Sequence, residues 1–335
     1  MKAIERKLRT DQEGGALPDA SVEDPSPQIV RLAARLIRLQ SHFRPRPDAL
    51  GEPGKILEFL ADPLAEQSAE TAIRHSGIEL LQGVATALNT AIVDAVERDA
   101  FFYEYQPVVS TANGALEGYE ALVRWRRGDR AVSPDYFLPI AEETEAIVQM
   151  QQRLLDDVAA AYVQLAAPVS IGINWSPTQL SRVGAVSAFI DRVRELHIDP
   201  RRILIEVTER AVTVDPELAQ ANIARLKEQG FRIALDDFGR GYCGFAYLSR
   251  LPIDVIKIDS SLVDGLGQSA RCAIILDGIV DIAHRLGYHV VAEGVETQEQ
   301  FKVLRRSGCD SAQGKFIGYP SRHLLPNSGP GMPIT

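Results

Sequence analysis

The densest chemistry in the chain lies between Phe231 and Tyr242, F-R-I-A-L-D-D-F-G-R-G-Y. Ile233, Ala234 and Leu235 form an apolar run that suits a buried strand, and Asp236 and Asp237 follow directly. Gly239 and Gly241 then break the strand. Two like charges about 4 Å apart repel by roughly 4 kcal/mol at an effective dielectric near 20. A Lys, an Arg or a divalent metal must offset that repulsion. A solvated turn would use the same residues, since Asp and Gly both favour turns. Recurrence of the pattern along the chain favours the buried site.

Polar residues stand at the ends of other apolar runs. Glu120 and Arg124 lie two strand-face steps apart in E-A-L-V-R-W. Asn174 ends one strand-like run, and Glu206 and Glu209 fall in I-E-V-T-E-R. Lys257 sits in V-I-K-I-D, Glu293 in V-V-A-E-G-V-E, and Gln313 ends the last run. Glu120, Asn174, Glu206, Asp236 and Asp237 are all oxygen ligands, which suits Mg²⁺ or Mn²⁺ rather than zinc. The carboxylates suffice for two ions at the roughly 3.5–4 Å spacing used in phosphoryl chemistry. Lys257 beside them would stabilise charge on a phosphate, or else form a structural salt bridge. Arg124 has the donor fork that suits phosphate recognition.

Elements that could gather these residues alternate after about residue 100. Strand patterns cover Phe102 to Val109, Leu116 to Trp125, Val169 to Asn174, Ile203 to Thr208, Phe231 to Leu235, a part of Leu251 to Ile258, His289 to Ala292 and Ser311 to Gly314. Helical patterns separate most of them: Pro139 to Ala166, Val186 to Leu196, Pro216 to Gln229, Arg271 to Leu286 and Gln298 to Ser307. Eight strands separated mainly by helices predict an α/β fold, a TIM-like (β/α)8 barrel, whose sites lie at the C-terminal strand ends. The turn at Gly114 is too short for a crossover, so the first pair is expected to be antiparallel.

Before the barrel, residues 1–27 are polar and read as a disordered tail. A helical extension follows over 28–84, with a basic amphipathic helix from Gln28 to Phe43 expected to pack on its own domain or a protein partner. A short helix over 55–66 and a longer one from Glu70 to Arg98, interrupted near Gly77, complete it. The barrel domain is expected over 85–322 and a tail over 323–335. Net charge is −9, which disfavours broad nucleic-acid binding. No run reaches the roughly 18 apolar residues of an integral membrane segment. Cys243, Cys272 and Cys309 are widely spaced, against both a disulfide framework and a cysteine zinc site. A cytoplasmic location is the expectation.

Eight stretches in order then carry a family resemblance: Y-Q-P from Tyr105, E-A-L-V-R-W from Glu120, N-W-S-P-T-Q-L from Asn174, E-V-T-E from Glu206, D-D-F-G from Asp236, K-I-D from Lys257, A-E-G-V-E from Ala292 and Q-G from Gln313. From about Leu88 to Pro320 the chain resembles the EAL-domain family, which contains cyclic di-GMP phosphodiesterases. The resemblance implies a barrel with one antiparallel strand and hydrolysis of cyclic di-GMP to linear pGpG. It maps metal ligands onto Glu120, Asn174, Glu206, Asp236 and Asp237, with Lys257 and Glu293 as further catalytic residues. Gln106, Arg124, Gln313 and Pro320 would lie near the ligand, and Glu209 would brace the loop after Asp237. It implies a homodimer as well. The chain departs from the family at Arg240, Cys243, Gly244 and Phe245, at Glu145, and in G-K-F-I-G-Y-P after Gln313. A second reading is a cyclic di-GMP receptor that signals to a partner through the N-terminal helices.

Overall fold

The computed structural model describes residues 72–324, apart from 129, 145, 166–168, 240–250 and 268. The expected tail at 1–27, the expected tail at 323–335 from residue 325 onward, and the helices at 28–43 and 55–66 lie outside the described residues. So do Glu145, Arg240, Cys243, Gly244 and Phe245.

Nine strands among the described residues form one sheet, and eight of them close into a barrel. β1 (Phe101–Ser110) pairs with β2 (Leu116–Arg127), and β2 also carries a short outer ribbon, β3 (Arg130–Val132). From β2 the ring runs through β4 (Ser170–Trp175), β5 (Ile203–Thr208), β6 (Arg232–Phe238), β7 (Val255–Ile258), β8 (His289–Ala292) and β9 (Ser311–Gln313), which returns to β1. β1 is antiparallel to both of its neighbours, and the other ring pairs are parallel. The three residues of β3 are too few to show a period, so the sequence gives no sign of that ribbon.

The described residues fall into two compact units, one with 72–86 and Asp135–Ile140, the other with 87–134 and 141 onward. The second unit carries the barrel. The helix Ala72–Glu97 runs unbroken through Gly77, contrary to the expected interruption. One glycine costs a helix about 1 kcal/mol relative to alanine, which 26 residues of helix absorb. The helix expected over 139–166 is instead two, Leu138–Glu143 and Ala146–Gln164. Thr144 ends the first, its N–H and Oγ1 both donating to the Ala141 carbonyl at 3.3 Å.

Inside the barrel, strand alternation does the positioning. Successive side chains point to opposite faces, so residues two apart share one. Ala234, Val255 and Val291 pack together as an apolar floor, with Val108 and Leu204 against them. Two residues nearer the mouth on the same faces come Asp236, Lys257, Glu293, Gln106 and Glu206. The opposite faces carry residues such as Ile173, Ile205 and Ile233, all fully buried or nearly so. Each such side chain contributes about 1.5–3 kcal/mol.

Caps stop the strands at fixed points. Ser176 Oγ accepts from Gln179 N at 3.3 Å and Gln179 Oε1 accepts from Ser176 N at 2.9 Å, with Pro177 opening the helix. This reciprocal cap turns the chain two residues after Asn174. Thr208 caps the helix Glu209–Val214, and Thr297 with Gln300 forms a second reciprocal cap after Glu293.

Candidate active site at the mouth of the barrel

Lys257 is the centre of the mouth. Its side chain is 2% exposed and its Nζ lies 2.6 Å from Glu206, 2.6 Å from Glu293, 3.3 Å from Glu120 and 3.5 Å from Asp236. Five strand ends supply those groups. Asn174 Nδ2 donates to Glu120 Oε1 at 2.7 Å, and Gln313 Nε2 donates to Glu120 Oε2 at 2.7 Å. Gln313 also donates to Gln106 Oε1 at 3.0 Å, and Gln106 Nε2 donates to the Gly318 carbonyl at 3.0 Å. Gln313 Oε1 is buried and has no hydrogen-bond partner among the described residues. Gly172 makes room for the cluster: a Cβ there would lie 2.0 Å from Glu206 Oε1.

β6 continues past the apolar run ending at Leu235 to Phe238, so Asp236 and Asp237 lie within it near its end. A regular strand would send them to opposite faces. Here the pairing with β7 shifts register between Leu235 and Phe238, and Asp237 has φ of 57°. Left-handed backbone at a non-glycine residue costs about 1–3 kcal/mol and concentrates at functional sites. Asp236 Oδ1 accepts from Asp237 N at 2.9 Å, which holds the kink.

Glu209 is also relocated. It is not on the strand with Glu206 but is the first residue of the helix Glu209–Val214. There it is buried, and its Oε1 accepts from Gly239 N at 3.2 Å. That contact braces the backbone just after Asp237. Arg124 shares the Glu120 face of β2 and pairs with Glu104, Nε to Oε2 at 2.9 Å. Glu104 was missed in the sequence; it stands two residues before Gln106 on β1. Pro320 lies on the segment after β9, between Gly318, which Gln106 holds, and Ser321, which pairs with Tyr105.

The charges do not balance. Among the described residues, four carboxylates face one buried ammonium. Burial works to raise Glu120, but Lys257 and the hydrogen bonds from Asn174 and Gln313 outweigh it and hold the carboxyl low. Burial lifts Glu206 well above the ordinary range and raises Asp236, with Lys257 opposing in both. Burial likewise pushes Glu293 up to about 8. Burial alone would lower Lys257, yet Asp236, Glu120, Glu206 and Glu293 together hold it well above its usual value. Buried charges need compensation, and the acids here exceed what Lys257 supplies.

That surplus is what a hard divalent cation would meet. The donors are carboxylate oxygens and one amide, the set that Mg²⁺ or Mn²⁺ takes. As the side chains stand, no three His, Cys, Asp or Glu among the described residues are gathered closely enough to hold one ion. Among the described residues, Lys257 is the cation they face.

Comparison with known proteins bears on this arrangement. A family model described as the EAL domain matches residues 89–320. MucR of Pseudomonas aeruginosa, named a bifunctional diguanylate cyclase/cyclic di-GMP phosphodiesterase, is 35% identical over 232 residues, 68% of this chain and 34% of its own length. A second Pseudomonas aeruginosa protein, named a cyclic di-GMP phosphodiesterase, is 31% identical over 271 residues, 79% of this chain and 46% of its own length. The chain thus spans less than half the length of these curated relatives. The solved PaMucR phosphodiesterase in complex with c-di-GMP has a TM-score of 0.66 at 34% identity, covering 70% of this chain and 97% of that one. The FimX EAL domain from Pseudomonas aeruginosa, bound to c-di-GMP, shares the fold with a TM-score of 0.67 at 22% identity, covering 73% of this chain and 99% of that one. No helix among the described residues is long and apolar enough to cross a membrane. With a family match over more than two thirds of its residues, and the barrel and mouth described above, this chain belongs to the EAL-domain family.

Proposed function

We propose that the chain hydrolyses cyclic di-GMP to linear pGpG with Mg²⁺ or Mn²⁺, two ions being held by Glu120, Asn174, Glu206, Asp236 and Asp237. The observation that carries this reading is the surplus of buried carboxylates around Lys257. Bound divalent ions would supply an activated water at neutral pH. The chain's own residues do the rest. Lys257 places a fixed positive charge where phosphate charge develops. Glu293, 2.6 Å from Lys257 Nζ, can hold a proton near neutral pH in the metal-free site. Gln313 Oε1, a buried acceptor with no partner among the described residues, is available to the ligand, and Gln106 steadies Gln313. Arg124, held by Glu104, offers its remaining donors to a phosphate. A homodimer and a protein partner for the N-terminal helices belong to the same reading.

Purified protein with Mg²⁺ or Mn²⁺ should convert cyclic di-GMP to pGpG, followed by chromatography, and Glu120→Ala should abolish conversion. Binding of cyclic di-GMP without turnover in either metal would replace this reading with the receptor.

A further inference from the structure

The described residues gathered around Lys257 are charged groups and amides. Four acids, Lys257, Arg124, Asn174, Gln106 and Gln313 can address phosphate and metal, but none offers an apolar face to a purine ring. A ligand with two guanines needs such a face. Among the described residues the exposed large apolar side chains are Val163, Val183, Ile274, Ile275, Leu286 and Tyr319, and Tyr319 alone is aromatic. It is 69% exposed.

Its place in the chain is fixed on both sides. Gly314 approaches Val295 so closely that a Cβ there would lie 2.2 Å from the Val295 nitrogen, and Phe316 N donates to the Val295 carbonyl at 2.9 Å. Val295 is two residues beyond Glu293. The Gly318 carbonyl, one residue before Tyr319, accepts from Gln106 Nε2 at 3.0 Å. Two residues after Tyr319, Ser321 pairs with Tyr105 through bonds of 2.8 and 3.2 Å. The backbone at Tyr319 is therefore held next to Gly318, which Gln106 bonds, and the other amide contact of Gln106, Gln313, bonds Glu120. Exposing a ring there leaves apolar surface in water, and a ring has only two torsions to freeze on binding.

We infer that Tyr319 is the stacking platform for one guanine of the dinucleotide, a specificity residue resting on the function proposed above. Removing one base–aromatic stack weakens binding about tenfold or more. Tyr319→Ala should raise KM for cyclic di-GMP by about that factor while kcat stays within about twofold. Tyr319→Phe, which keeps the ring face, should restore the KM. In Tyr319→Trp the new indole reports contact directly, because Trp125 and Trp175 are buried; its emission should be quenched by cyclic di-GMP in EDTA. If Tyr319→Ala leaves KM unchanged, or the indole is not quenched while the wild type turns over, the inference fails and the proposed function survives. If the wild type binds without turnover, the same factor is read from Kd. If the wild type neither binds nor cleaves cyclic di-GMP, both readings fall.

Discussion

Gly172→Ala is the smallest change that should disable the site, and its effect follows from one distance. Gly172 sits on β4 against Glu120 on β2 and Leu204 on β5. An alanine Cβ there would lie 2.0 Å from Glu206 Oε1 and 2.9 Å from its Cδ. Contact between such atoms is comfortable near 3.5 Å, so the carboxylate must retreat by more than about 1 Å. Glu206 is buried, and its other oxygen holds Lys257 at 2.6 Å. The retreat therefore strains a buried ion pair and moves a proposed ligand. Overpacking of this kind costs about 1–3 kcal/mol of stability. A misplacement of about 1 Å at a reacting centre costs roughly a hundredfold in rate. We expect Gly172→Ala to fold, by circular dichroism and thermal melting, and to lose about two orders of magnitude in kcat. Gly118→Ala is the comparison, since its Cβ meets Ser170 Oγ at 2.9 Å rather than an acid. That variant should lose stability without a matching loss of turnover. If Gly172→Ala keeps a kcat within threefold of wild type, Glu206 does not need its present position and the geometric argument is wrong.

Acidity offers a second test. Burial raises Glu206, Asp236 and Glu293 in the metal-free protein, so above the ordinary carboxyl range the folded state holds protons that the unfolded chain has released, at Glu293 up to about 8. The stability from Glu293 is complete below its ordinary value of 4.5 and is lost as pH rises through about 8. Melting temperature in EDTA should therefore fall across that window, Glu293→Gln should flatten the fall, and a flat wild-type profile would contradict the burial argument. A third test removes the brace behind Asp237: Glu209→Ala frees the Gly239 N–H and should lower kcat at least tenfold, since a hydrogen bond to a charged group is worth about 1.5–3 kcal/mol. Unchanged turnover in that variant would make Glu209 a helix residue and nothing more.

What could be read in advance divides along one physical line. Residues two apart on one strand share a face whatever surrounds them. Ala234 therefore predicts the direction of Asp236, and Val255 that of Lys257. The same parity speaks against putting Glu206 and Glu209 on one strand face, being three apart, and the structure starts a helix at Glu209 instead. Contacts between strands need register, which a single chain does not print. Arg124 meets Glu104 because the β1–β2 hairpin sets Phe102 opposite Arg124; nothing in Y-E-Y-Q-P says so. Gly172 reads as a weak strand residue until β5 places Glu206 beside it. The kink that takes Asp237 out of regular strand alternation combines the register shift against β7 with a left-handed φ, and neither is printed in the sequence. The inventory of charged groups was thus open to inspection in the sequence, but their balance was not. One ammonium among four carboxylates is a fact about five strand ends brought together, and the case for divalent cations rests on that imbalance more than on any motif.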